Sequence, residues 1–325
     1  MTIEGLSILI PTWDRPEEVR LRLNEIESQF GPQQRVHVQV NPGKYGLADI
    51  EIPQGSYCSV TAAQNESNVG FVANILFGIS RLEGEWIWIL GDDDQLSPSC
   101  ATSIAKGIEA ASPSTIAVVH NQWPQHQFDV VTCVDCETLL GASGFGDLLF
   151  ISATVWRRSF FIAHLVLFID QAFSCSSQVA LMLAGLKAGD HSILVFNRPL
   201  IDYQEIHRWS RVHYLQRMGA LLSLDLPKAD RSHLAQILYP MWGWAVRSGW
   251  REVEDGGVSW AVWLESSVLT FLQLHRYAPL ASFRMLMGDA RLKASRKWMW
   301  VRTVVARSKG YVKHKLPMAS AREMR

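Results

Sequence analysis

The chain has 325 residues, 48% of them hydrophobic and 19% charged, with 31 Lys+Arg against 31 Asp+Glu. That apolar content excludes a disordered chain, the lack of any 20–50-residue period excludes a repeat architecture, and no apolar run approaches the ~20 residues of a spanning helix. The zero net charge hides a split, because residues 284–325 carry 12 Lys+Arg and 2 Asp+Glu and leave an acidic body behind them.

The N-terminus carries Glu4 and no basic n-region, so no secretory signal is expected. Five cysteines, an odd number in a long chain, fit a reducing compartment better than a disulfide framework. A soluble, cytoplasmic protein is the expectation.

In chain order, residues 6–10 read as a short buried strand closed by Pro11 and Thr12. Asp14 and Glu17 have N-cap and N3 spacing with Pro16 in the first turn, and Val19, Leu23 and Ile26 then recur at helical spacing. Strands are predicted at 36–40, closed by Asn41-Pro42-Gly43, and at 57–61. Asn68 is a candidate cap for a helix with Val72, Ile75, Leu76 and Ile79 on one face. Gly84 ends that helix, and an apolar strand at 86–90 runs straight into Gly91-Asp92-Asp93-Asp94.

A helix at 104–111 and a strand at 115–119 continue the alternation, which predicts a parallel, doubly wound α/β sheet. Residues 120–150 are less regular. A strand is expected at 151–155, helices around 159–169 and 177–188, and a last strand at 194–196. From about 206 the pattern turns helical and rich in Trp, so the boundary is set near 205, between a domain of residues 1–205 and a helical region of residues 206–325.

Three aspartates at the carboxyl end of a buried strand stand where ligands bind in open α/β sheets. A hard divalent cation on a nucleotide diphosphate takes one or two protein carboxylates and completes its shell with phosphate and water. Asp92 and Asp94 have the spacing to present two carboxylates to one ion. The plain alternative is a solvated acidic turn capping the helix after Pro98.

These residues resemble the nucleotide-sugar-dependent glycosyltransferase family 2. Ser7-Ile8-Leu9-Ile10-Pro11-Thr12-Trp13-Asp14-Arg15-Pro16 is similar to its opening strand, a hydrophobic run followed by Pro-Thr-Tyr-Asn-Arg. Asn68-Val69-Gly70-Phe71 with Asn74 resembles its Asn-x-Gly…Asn helix, and Glu83 through Pro98 resembles its strand and DxD motif. Order and spacing both match, over roughly residues 5–205.

The resemblance implies the GT-A fold, a Rossmann-like, mostly parallel doubly wound sheet, here with a helical C-terminal extension. It implies a nucleotide-diphospho-sugar donor and Mn2+ or Mg2+. Pro11, Thr12 and Asp14 would line the nucleotide pocket, and Trp13 would pack near the base or in the core. Asn68 and Asn74 would hydrogen-bond base, ribose or phosphate. Asp92 would contact ribose or metal, and Asp93 and Asp94 would hold the diphosphate-bound ion.

Three departures accompany the likeness. Where the family reads the base with an acidic residue, Asn41 stands. The first aspartate of the commonest motif is Gly91. The usual general base, in a Glu-Asp pair at the start of a late helix, falls at Ser177-Gln178, neither of which is a useful base near neutral pH. Asp170, just upstream, is the favoured replacement; Glu205 and His207 follow the last strand. By the same resemblance His207 is a candidate metal ligand and Arg208 a diphosphate ligand. Gln204 with Arg208-Trp209 approximates the signature of processive polymerases, but its spacing is one residue too long and the membrane helices are missing.

Cys133-Val134-Asp135-Cys136 is a CxxC preceded by His120 and His126, a set able to bind zinc but with the spacing of no standard module. Buried or loop thiols are the simpler reading. In residues 284–325, Trp298 and Trp300 mix with Arg296, Lys297, Arg302 and Arg307, as in a basic amphipathic helix that lies on an anionic membrane. A helix packed on the acidic body is the alternative.

The leading function is therefore an inverting, metal-dependent transfer of a sugar to a saccharide or lipid-linked glycan, in surface polysaccharide assembly, on the inner face of the cell membrane. A nucleotidyltransferase is less consistent, because no Gly-rich phosphate loop follows the first strand. A non-catalytic scaffold is kept open by the missing Glu-Asp. No nucleic-acid partner is expected, since no recognition motif accompanies the basic segment.

Overall fold

In the run Trp86–Ile89 every residue is buried, as is every residue of Leu6–Trp13 but the last. Such unbroken apolar strands belong to a sheet covered on both faces. The structure, a computed structural model, describes residues 1–31, 33–52, 58–123, 128–174, 176–202, 212 and 217–279.

Ten strands are described: β1 Leu6–Trp13, β2 Arg35–Asn41, β3 Ser59–Gln64, β4 Trp86–Ile89, β5 Gln95–Leu96, β6 Thr115–His120, β7 Val130–Cys133, β8 Thr154–Arg157, β9 Ser192–Phe196 and β10 Ile201–Asp202. Eight form one sheet in the order β3-β2-β1-β4-β8-β6-β9-β7. β3, β2, β1 and β4 run parallel, as do β6 and β9. β8 is antiparallel to both its neighbours, and β7 to β9. The small ribbon of β5 and β10 is separate and antiparallel. The sheet is thus mixed, with a doubly wound parallel half that carries the motifs.

The helices are α1 Pro16–Gln29, α2 Phe71–Ile79, α3 Cys100–Ala110, α4 Cys136–Ala142, α5 Phe145–Leu149, α6 Arg158–Ala163, α7 Leu165–Asp170, α8 Ser177–Ala188, α9 Lys228–Glu254 and α10 Trp260–Tyr277. Two apolar clusters sandwich the sheet. Ile8, Ile10, Trp88 and Leu90 pack with α1 and α3 on one face. Leu9, Ile87 and Ile89 pack with α2, α4 and α8 on the other. The alternation along β1 and β4 is the pleat of a two-faced strand.

Three expectations are corrected here. β1 does not stop at Pro11 but runs to Trp13. The Leu9 carbonyl accepts from Leu90 at the end of β4, so the side of β1 where Pro11 lacks its N–H lies beyond its neighbour and loses no ladder bond. Asp14 is not the cap of α1; Arg15 holds the N-cap position without a side-chain bond, and Pro16 opens the helix. Asn68 is not the N-cap of α2, a position held by Gly70 at φ 79°; its Oδ1 instead accepts from the Gly70 N–H at 2.9 Å.

The C-terminal helices share the second cluster, which takes in Leu234, Leu238 and Tyr239 of α9 and Leu274 of α10 beside residues of α4, α5 and α8. Tryptophans staple the two together: Trp242 Nε1 donates to the Ser267 carbonyl at 2.9 Å and Trp263 Nε1 to the Val246 carbonyl at 3.0 Å. Among the described residues no helix is long and apolar enough to cross a membrane. Residues 284–325 lie outside the described residues.

Candidate active site

The carboxyl ends of β1 and β4 are neighbours because the two strands pair in parallel from Leu6↔Trp86 to Leu9↔Ile89. Thr12 and Arg15 therefore emerge beside Gly91–Asp94. Thr12 Oγ1 donates to Asp92 Oδ2 at 2.7 Å and Arg15 Nη1 donates to Asp92 Oδ1 at 2.7 Å. The same guanidinium nitrogen lies 2.7 Å from Asp93 Oδ2. Burial works against the Arg15 charge, but the two aspartates outweigh it and raise its pKa.

Asp92 is 6% exposed. Burial raises its pKa against the opposing pull of Arg15 and Thr12. Both its oxygens already carry a donor. Asp94 is held differently: Ser152 Oγ donates to its Oδ2 at 2.6 Å, while the Gly91 N–H donates to that same hydroxyl at 2.8 Å. Burial pushes Asp94 up to about 6; the Ser152 bond opposes this, and Asp93 and Asp92 add to it.

Gly91 is what lets these carboxylates gather. A Cβ there would stand 2.6 Å from Asp94 Oδ2 and 3.4 Å from Asp93 Oδ1. The two carboxylates thus converge on one small hollow over the Gly91 backbone, walled by hard oxygen donors, which suits a divalent cation that needs one or two carboxylates. Among the described residues no group of three His, Cys, Asp or Glu, this triplet included, is placed to hold a metal ion by itself. His207 and Arg208, the expected partners, lie outside the described residues, as does Glu205.

The asparagines organise the neighbouring strand ends. Asn65, which the sequence did not single out, donates through Nδ2 to Asn41 Oδ1 at 2.9 Å and to Asn74 Oδ1 at 2.8 Å. Asn41 Nδ2 donates to the Gly70 carbonyl and its Oδ1 accepts from the Val69 N–H. Asn74 Nδ2 donates to the carbonyls of Gln39 and Thr12. Asn41 and Asn74 are each 3% exposed; the structure spends both amides on the protein. A carboxylate at 41 would lose the bond to Gly70 and face its carbonyl, which explains an amide where an acid was expected.

Asp14 sits at φ 56°, a left-handed conformation that Asp tolerates. Its carboxylate accepts from the Tyr45 N–H at 3.0 Å, and Gly43 leaves it room, since a Cβ there would stand 2.3 Å from Asp14 Oδ1. Pro11 and Thr12 are buried beneath this turn, and Trp13 is 55% exposed above it.

Asp170 is exposed at the C-terminal end of α7, whose chain turns through 172–174 into α8. At the start of α8, Gln178 is buried and donates to the Leu149 carbonyl at 2.5 Å, so it is a strut, not a base. Leu149 leads to Ser152, whose carbonyl also accepts from Trp88 Nε1 at 2.8 Å. Ser152 was invisible in the sequence, as a lone serine in an irregular stretch. Arg15 carried the one available signal, a cation three residues beyond Thr12 inside the recognised motif.

The CxxC thiols are buried and unpaired by disulfides. Burial pushes Cys133 up to about 11 and Cys136 up to about 12, and Cys136 Sγ donates to the Leu183 carbonyl. They are core thiols in this state. His126 lies outside the described residues.

Residues 7–132 match the model of glycosyl transferase family 2. The fold is similar to that of S. aureus TarS 1-349, with TM-score 0.57 at 14% identity, covering 96% of this chain and 92% of that one. The same TarS fragment in complex with UDP gives 0.58 at 15% identity, and in complex with UDP-GlcNAc 0.56 at 15%, with the same coverage. No curated protein matches the chain.

Proposed function

We propose that this chain, whose residues 7–132 match the model of glycosyl transferase family 2, is a glycosyltransferase that moves a sugar from a nucleotide-diphospho-sugar to a saccharide or lipid-linked glycan acceptor with inversion at the anomeric carbon. The observation that carries the reading is the Asp92–Asp93–Asp94 cluster, held by Thr12, Arg15 and Ser152 at the carboxyl ends of paired parallel strands. An acidic turn with no ligand would leave its carboxylates in water. Here Asp92 is buried and Asp94 partly so, both against their electrostatic preference, a cost usually found where charge is used.

Asp93 and Asp94 would hold Mn2+ or Mg2+, with Asp92 as the anchor that fixes their loop or touches the ribose. His207 is the proposed third ligand and Arg208 a diphosphate ligand. A bound cation supplies neutralisation of the charge that develops on the departing diphosphate. The protein's part is to fix the loop: Arg15 spans Asp92 and Asp93, and Ser152 aligns Asp94 while its own oxygen is oriented by the Gly91 N–H. Pro11, Thr12 and Asp14 shape the nucleotide wall, with Asn41, Asn68 and Asn74 setting the strand ends beneath it, and Trp13 offers an exposed ring to the base.

Inversion needs a base on the acceptor hydroxyl. Asp170 is the proposed base, because the α7–α8 turn adjoins the strut from Gln178 to Leu149 and hence the segment bearing Ser152. Residues 1–205 would perform donor binding and chemistry. Residues 206–325 would serve attachment, with 284–325 on an anionic membrane surface during surface polysaccharide assembly.

The TarS structures hold UDP and UDP-GlcNAc, so UDP-sugars are the first donors to test. The test is release of nucleoside diphosphate from each donor with Mn2+, and NMR of the anomeric centre of the product. Inverted product supports the reading; retained configuration, or transfer of a nucleotidyl group, contradicts it.

A further inference from the structure

The amino ends of β1, β2 and β3 lie at the opposite end of the sheet from the aspartates. Register places Ser7, Arg35 and Ser59 in one row across the three strands and Leu9, His37 and Thr61 in the next. The alternate residues Ile8 and Val36 point into the α1 face, so both rows face the layer of α2. That helix has nine residues, about 13 Å of length. It closes down on Leu9 and Gln39, where a Cβ on Gly78 would have no room, while toward the strand starts Arg35, Ser59 and Thr61 are exposed and Ser7 and His37 stay buried.

What remains is a cavity of about 290 Å³ lined by the strand starts and by Arg81–Glu83. That is just below the roughly 300–1,000 Å³ range of ligand pockets, room for a small anion. Its floor is polar where a covered sheet face would be apolar. His37 is 4% exposed. Its Nε2 lies 3.1 Å from Gln39 Oε1, and since Gln39 Nε2 donates to Asn65, the imidazole must donate there. Nδ1 then faces Thr61 Oγ1 at 2.9 Å. Burial, with the Arg81 guanidinium nearby, lowers the His37 pKa, against the Gln39 bond.

The cations are unevenly occupied. Arg81 is exposed and makes no ion pair among the described residues. Arg35 donates to the Glu83 carbonyl at 3.1 Å and lies 3.9 Å from its carboxylate, which is 87% exposed. An exposed pair of that kind contributes little. Ser7 Oγ donates to the same Glu83 carbonyl, and the Ser59 hydroxyl lines the wall. Two guanidinium forks beside the Ser59 hydroxyl match the oxygens of a tetrahedral dianion.

We propose that this recess between the starts of β1–β3 and the turn at Arg81–Glu83 binds a small phosphate-bearing ligand, through Arg35 and Arg81 with Ser59. The site stands apart from the donor site and does not rest on the proposed activity.

The test is NMR of the imidazole resonances of the full chain, titrated with inorganic phosphate and, separately, glucose 6-phosphate; loss of a signal in His37→Gln identifies His37. A saturable shift of His37 is expected, with affinity about 10-fold lower in Arg81→Ala, restored in Arg81→Lys and unchanged in Asp94→Ala. Tighter binding of glucose 6-phosphate assigns the recess to a monoester, and tighter binding of inorganic phosphate to the free ion. Arg81 is exposed, so its loss spares the fold, and an unchanged melting temperature verifies this. No movement of His37 with either probe, or equal affinity in Arg81→Ala, overturns the proposal.

Discussion

At the carboxyl ends of β1 and β4, three carboxylates crowd around one guanidinium and two hydroxyls; at the amino ends of β1–β3, two guanidiniums and a buried imidazole surround hydroxyls, with one carboxylate on the rim. The same parallel register delivers both sets. They differ in burial. At the acidic end Asp92 is nearly sealed and Asp94 partly buried, so each charge depends on a named partner, and removing that partner leaves a poorly compensated group. At the basic end Arg81 and Arg35 stay wet and their environment costs them little. Substitutions at the first end should therefore be severe and nonadditive, and at the second they should be local.

The largest effect is expected from the proposed base: Asp170→Asn should lower kcat by about 10²–10⁴ with little change in donor affinity. Unchanged turnover with a competent donor would remove Asp170 from the reaction. Next, Arg15→Ala should weaken donor binding by about 10- to 100-fold, the size of a charge-assisted bond, because Asp92 and Asp93 lose their shared counter-charge. Equal donor affinity by calorimetry would mean that the loop needs no such clamp.

Gly91→Ala sharpens the contrast further. It adds a single methyl 2.6 Å from Asp94 Oδ2, and should cost about 1–3 kcal/mol of donor binding while thermal stability moves less. Restoring the family's commoner aspartate at this position should harm binding as well.

A smaller effect is expected in the interior between the two ends. His120 is wholly buried in β6 and stacked on Phe196 at 5.2 Å. Neither ring nitrogen meets the geometry of a full hydrogen bond, and the nearby Arg198 backbone opposes only part of the shift that burial imposes. Burial lowers the imidazole from 6.5 to about 3. Between those values the unfolded chain binds the extra proton, so stability is full above pH 6.5 and is lost as pH falls toward 3. His120→Leu should reduce that acid sensitivity by up to about 1.4 kcal/mol per pH unit, read from urea midpoints at pH 7 and pH 5. Parallel pH profiles for the two proteins would contradict it.

How far the sequence reached follows from how local each signal is. β4 and its aspartates were legible because a continuous apolar run and a charge cluster are both written in adjacent residues. The face of α2 was legible too, with Ile75 and Ile79 buried as their spacing requires. The elements between 120 and 150 were not, since β7, α4 and α5 are only 4, 7 and 5 residues long and too short for periodicity to show. The Asn65 hub and the Ser152–Asp94 bond join positions 9 to 58 residues apart, and no local pattern announces them. Asp14 misled because cap spacing was satisfied by a residue whose left-handed backbone turns its carboxylate toward Tyr45 instead.

The central claim is that the aspartate hollow binds a metal-bound nucleotide diphosphate. Calorimetric titration of UDP, GDP, CDP and dTDP, with and without Mn2+, on the wild-type chain and on Asp94→Ala tests it directly. The account predicts tight binding of one nucleotide that requires both the ion and Asp94. Absence of binding by all four under every condition, or binding indifferent to both Mn2+ and Asp94, would contradict it.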